Sequence, residues 1–158
     1  MDNIVYSYKL KDIRGNEIDL SSFKGKKILF VNTASACGLT PQYSQLQELH
    51  ENFKDKLVVI GLPCNDFGAQ EPGSSDEIVQ FCETNFKVSF LLTEKVVIKG
   101  DSVSPIYQFL TSKSLNGKLD SEVVWNFQKY LVDENGHLIA SFHPQTEVMS
   151  EEFLSHLN

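Results

Sequence analysis

An α/β fold, with a central mixed sheet flanked by helices and an added N-terminal β-hairpin, is the architecture this 158-residue chain predicts. Three observations carry that reading. Two short apolar runs, KILFVNTA and KLVVIGL, are consecutive and β-prone rather than alternating, the pattern of strands buried on both faces. Each is followed by a stretch whose spacing suits an amphipathic helix. Hairpin patterns open the chain and return near its end.

Taken in order, YSYKLKDIRGNEIDL reads as two short strands around Arg14-Gly15-Asn16, with Gly15 supplying the positive φ of a tight turn. KILFVNTA is a buried strand placed centrally and parallel to its successor. Thr40 then precedes Pro41 as an N-cap before a first-turn proline, and Tyr43, Leu46, Leu49, His50 and Phe53 mark one face of a helix. KLVVIGL, residues 56–62, repeats the buried-strand signature. After a loop rich in Gly and Pro, Ser74 and Glu77 form a capping box that starts a helix over SSDEIVQFCETNF. A shorter helix is expected in SPIYQFLTSK, a hairpin in QKYLVDENGHLIASF with Asn135-Gly136 at its turn, and a last helix from Ser150 to Leu157. Parallel βαβ, then a hairpin and a final helix, is the order of a thioredoxin-like α/β sandwich. No repeat, linker or composition shift interrupts it, so one domain is expected over 1–158.

Composition narrows the function classes. Apolar residues make up 41% and charged residues 22%, as in ordinary globular proteins. Fourteen Lys and Arg against 21 Asp and Glu leave a charge of −7, which argues against nucleic acid or an anionic membrane as partner. MDNIVYSYKLKD lacks a basic start followed by an apolar run, and no stretch reaches a membrane span, so a cytoplasmic protein is expected.

Three cysteines, 37, 64 and 82, are too few for a disulfide framework. Cys37 follows the first core strand and comes a few residues before a helix start, where the dipole and free N–H groups favour thiolate. Its neighbours Ser35, Gly38 and Thr40 suggest an accessible sulfur. Position alone leaves a reactive thiol and a buried structural one both open. The absence of Cys-x-x-Cys and of nearby His ligands speaks against a metal site and against an ordinary dithiol oxidoreductase. Cys82 shares a helical stripe with Ile78 and Phe86, which reads as core packing. Cys64, at a strand end, reads as packing too.

Gln70 in LPCNDFGAQEPGSSDEI, and Trp125 and Asn126 in VVWNFQKYLV, mean little in isolation. Together with VNTASACGLT, these segments resemble the signature segments of the glutathione peroxidase family, in the family's order and over essentially the whole chain. The resemblance implies a peroxidatic Cys37 joined by Gln70, Trp125 and Asn126, whose N–H donors would stabilise the sulfur anion and orient a peroxide. It implies a sulfenic acid on Cys37, and no cofactor. IVQFCETNFKVSF resembles the resolving-cysteine segment of the family's thioredoxin-dependent branch, which gives that role to Cys82. Thioredoxin, or else a low-molecular-weight thiol such as glutathione, would be the reductant. A peroxide-sensing relay using the same disulfide is the alternative of a different class. Asp66 and Tyr130 depart from the family's common Gln and Phe, and SFLL lacks a usual proline. Ser141 replaces a basic residue often found there, which weakens a glutathione site. A short connection before VVWNF points to a monomer.

Overall fold

The computed structural model describes residues 3–157; Met1, Asp2 and Asn158, which the expected domain also takes in, lie outside the described residues. After a 3-10 turn at Val5–Ser7, β1 (Leu10–Lys11) and β2 (Glu17–Ile18) pair antiparallel, and Gly15 between them has a φ of +90°. A second 3-10 turn, Leu20–Phe23, leads into β3 (Lys27–Thr33). There follow α1 (Gln42–Asn52), β4 (Leu57–Pro63), α2 (Ser75–Phe86) and β5 (Leu91–Leu92). Then come α3 (Pro105–Thr111), α4 (Lys113–Asn116), β6 (Lys129–Val132), β7 (Leu138–Phe142) and α5 (Glu151–Leu154).

The main sheet runs β5-β4-β3-β6-β7. β3 lies at its centre, parallel to β4 and antiparallel to β6. Its unbroken apolar run follows from that position, because successive side chains of a central strand face opposite layers. Ile28 and Phe30 enter one core with the hairpin and α3, while Leu29 and Val31 enter the other with α1, α2 and α5. The two-residue edge strand β5 carries no readable period and was absent from the sequence-based expectation. The late hairpin turns more widely than a two-residue Asn-Gly loop. Asp133 Oδ1 accepts the amides of Asn135 and His137, and within that turn only Gly136 takes a left-handed φ, at +86°. Among the described residues no helix is long and apolar enough to cross a membrane.

Two departures from the family's common residues find local partners. The Asp66 carboxylate accepts the amides of Ile98 and Lys99 at 2.6 and 3.1 Å. The Tyr130 hydroxyl is paired with Ser121 at 2.7 Å and accepts from Gln128 Nε2 at 3.1 Å.

Lys129 is fully buried in β6. Its ammonium donates to Gln42 Oε1, Pro144 O and Thr146 O at 2.6, 2.8 and 2.7 Å, tying the sheet to the start of α1 and to the turn after β7. No carboxylate is among these partners, and burial pushes its pKa down to about 7 although Glu147 pulls the other way. Lys129→Met keeps the stem's packing but strips the donor from Gln42 Oε1 and Thr146 O, while Pro144 O keeps that of Gln42 Nε2. Unpaired buried acceptors cost about 1–3 kcal/mol each, so urea unfolding should show a loss of about 2 kcal/mol or more at unchanged m.

Candidate active site

Cys37 lies beyond the carboxyl end of β3, where loops of an open α/β sheet converge. Thr40 does not cap α1, which starts at Gln42 without a side-chain cap. Its hydroxyl accepts the Cys37 amide at 2.9 Å and donates to Ala34 O at 2.8 Å, so it is spent on closing the cysteine loop. The Leu39 amide points back at Cys37 Sγ, 3.3 Å away. The sulfur is less open than its small neighbours suggest: Cys37 is 8% exposed, covered by the apolar layer it shares with Trp125.

Three loops are stitched together around it. The Ala36 amide donates to Gln70 O at 3.0 Å, joining the cysteine loop to the loop after β4. Asn126 Nδ2 donates to Phe67 O at 3.2 Å and to Gln70 Oε1 at 3.0 Å, joining that loop to the segment before β6. Because Phe67 O can only accept, the orientation of the Asn126 amide is determined, and Gln70 Oε1 is the second acceptor. Both Asn126 hydrogens are thereby occupied. In this arrangement the Asn126 amide is bonded to Gln70 Oε1, the end of that amide opposite the Nε2 donors.

Trp125 stands over this junction, its ring edge-on to Phe67 with centroids 6.2 Å apart. Gly68 makes the approach feasible, since a Cβ there would sit 2.7 Å from the indole, and its φ is +71°. The turn that presents Trp125 and Asn126 is held by Asn32, a residue the sequence reading passed over inside the apolar run of β3. Asn32 Nδ2 donates to Trp125 O at 3.1 Å, and Oδ1 accepts the Gln128 amide at 3.1 Å. A lone Asn in the most buried strand was the available signal.

Cys82 is not part of this junction. It lies on α2, 1% exposed, in the same apolar layer as Cys37, and burial pushes its pKa up to about 11. Cys64 is fully buried in the opposite layer, and burial pushes it up to about 12. All three thiols are free. Among the described residues no group of three or more His, Cys, Asp and Glu gathers as a metal cage.

A thiol beyond the end of a central parallel strand, in a sheet with helices on both faces, defines a redox protein of thioredoxin-like fold. A sequence model of the family described as glutathione peroxidase matches residues 5–111, a span that includes Cys37, Gln70 and Cys82 and ends before Trp125. The chain is 42% identical to "Glutathione peroxidase homolog BsaA" of Staphylococcus epidermidis over 89% of both chains. It is 46% identical to the "Glutathione peroxidase-like peroxiredoxin gpx1" of Schizosaccharomyces pombe over 87% of both. The crystal structure of "Trgpx in apo form" superposes with a TM-score of 0.72 at 34% identity, covering 96% of this chain and 91% of that one. The chain belongs to the glutathione peroxidase family, and its activity is of the peroxidase type.

Trp125 is the sole tryptophan, so its emission reports the junction directly. Gly68→Ala forces a side chain into the left-handed region and against the indole. An altered emission maximum and a loss of about 1–2 kcal/mol on denaturant unfolding are the expected result.

Proposed function

We propose that the protein is a cysteine-type thiol peroxidase that reduces hydrogen peroxide and organic hydroperoxides, with Cys37 as nucleophile and thioredoxin as the final reductant. The observation that carries this reading is the hydrogen-bonded junction of the Cys37 loop with Gln70 and Asn126. Cys37 thiolate attacks one peroxide oxygen, the O–O bond breaks, and the departing alkoxide or hydroxide takes a proton to leave as alcohol or water. Sulfur becomes the sulfenic acid. Gln70 Nε2 and the indole N–H of Trp125 are the donors for the charge moving between sulfur and oxygen, with Asn126 setting the first of them.

Cys82 then condenses with the sulfenic acid, a disulfide forms, and water leaves. A disulfide needs Cα atoms within about 7 Å, and Cys82 faces inward from an intact helix. Helix α2 therefore opens during turnover in this reading. Thioredoxin reduces the resulting disulfide by thiol exchange.

NADPH-coupled turnover tests the whole scheme. Cys37→Ser should lose activity with both thioredoxin and glutathione, and Cys82→Ser should lose the thioredoxin-linked activity alone. Full thioredoxin-driven turnover in Cys82→Ser would remove the resolving role. A wild type that oxidises once and turns over slowly with thioredoxin would favour a sensor instead. Non-reducing mass spectrometry after one equivalent of hydrogen peroxide should find a Cys37–Cys82 link; a Cys37–Cys64 link would count against it.

A further inference from the structure

The Cys37 loop runs into α1, which begins at Gln42, and the Trp125–Asn126 segment runs into β6, which begins at Lys129. The first residues of these two elements meet. Lys129 Nζ donates to Gln42 Oε1 at 2.6 Å, and Gln42 Nε2 donates to Pro144 O at 2.8 Å. Pro144 O and Thr146 O also accept from the ammonium, at 2.8 and 2.7 Å. Three ammonium hydrogens therefore meet three acceptors, and because Pro144 O can only accept, the Gln42 amide has one orientation. A long side chain that is ordinarily spread over many rotamers is held in one.

The link reaches the sulfur through two further bonds. The backbone N–H of Gln42 donates to Leu39 O at 2.9 Å, and that of Leu39 donates to Cys37 Sγ at 3.3 Å. On the other side, Lys129 follows the Trp125–Asn126 segment along the chain and pairs with Val31 of β3. The Lys129–Gln42 contact thus joins the segment that carries the thiol to the one that carries Trp125 and Asn126, separately from the bonds each makes to Gln70.

Packing alone does not call for such a group. Lys129 is fully buried and its hydrogen-bond partners are neutral oxygens, so its charge carries a desolvation cost that an apolar residue of similar volume would avoid. What the ammonium supplies, and a methionine lacks, is a fixed length and direction between β6 and the start of α1.

We propose that Lys129, acting through Gln42, is a positioning residue that sets the Cys37 sulfur in line with the donors of Gln70 and Trp125. The inference rests on the reading of Cys37 as the nucleophile toward peroxide. Attack on the O–O bond requires sulfur, peroxide and donors in register, and a misplacement of about 1 Å costs about 10²-fold in rate. Lys129 and Gln42 touch neither substrate nor sulfur; they fix where the sulfur stands.

Two reactions of the same sulfur separate positioning from folding. Reaction with hydrogen peroxide uses the donors of the neighbouring loops, whereas alkylation by iodoacetamide uses the sulfur alone. Both rate constants are measured on the reduced protein by acid quench and mass spectrometry of Cys37. Gln42→Leu severs the link and leaves Lys129 its two backbone acceptors. The ratio of the peroxide rate to the alkylation rate should fall about 10-fold in this variant. Gln42→Glu keeps an oxygen for the ammonium and should stay within about 3-fold of wild type. Lys129→Met should lower the ratio as Gln42→Leu does, and combining the two should add nothing, because they act as a unit. A wild-type ratio in Gln42→Leu overturns the inference, whether its two rates are unchanged or have moved together. Losses that multiply in the double variant overturn it equally. If Lys129→Met does not fold, the two Gln42 variants decide. A wild type whose Cys37 does not react with peroxide would instead sink the reading of Cys37 on which the inference stands.

Discussion

Asn32 is the polar residue on which the geometry around Cys37 depends. Backbone pairing of β3 with β6 ends at Val31 opposite Lys129. One residue further, the Asn32 carbonyl accepts the Phe127 amide at 2.6 Å, and its side chain satisfies two more peptide groups on either side. The side chain thus continues the work of the ladder where the partner strand bends away, and Phe127 adopts a left-handed φ of +68° there. In so buried a place, an apolar residue at 32 would leave a carbonyl and an amide without partners. That penalty is what holds Trp125 and Asn126 at the end of the sheet, within reach of Gln70.

The second constraint is the one the thiols impose on one another. In the scheme proposed above, the sulfur that meets peroxide is Cys37, which has a backbone donor and partial cover. The sulfur that would wait its turn is Cys82, held back by burial and by the helix that carries it. That scheme asks part of the core to move. The capping box is closed in both directions, with Ser74 and Glu77 exchanging bonds at 3.0 and 3.2 Å, so the start of α2 is the better anchored end.

What could be read in the sequence was local. The capping box, the buried strands, the early hairpin and the stripe that puts Cys82 inward all follow from spacing within a dozen residues or fewer. The family segments picked out Cys37, Gln70, Trp125 and Asn126, and the structure ties the loops that carry them together. What escaped depends on partners far along the chain. Thr40 looked like a cap because Pro41 follows it, yet Ala34 and the Cys37 amide claim its hydroxyl. Asn126 stands in a family segment, yet the groups its amide bonds, the Phe67 carbonyl and Gln70 Oε1, lie far back along the chain.

The far end of α2 closes on Lys87, whose φ is +51° without the freedom of a glycine. Its amide is shared between the carbonyls of Glu83 and Cys82, and the Cys82 carbonyl accepts the Val88 amide as well. Holding a lysine in this conformation costs about 1–2 kcal/mol. If α2 opens as the proposed turnover requires, Lys87 can relax to an ordinary conformation and return that strain to the open form. Glycine at 87 would make a quieter hinge, and a tighter lock.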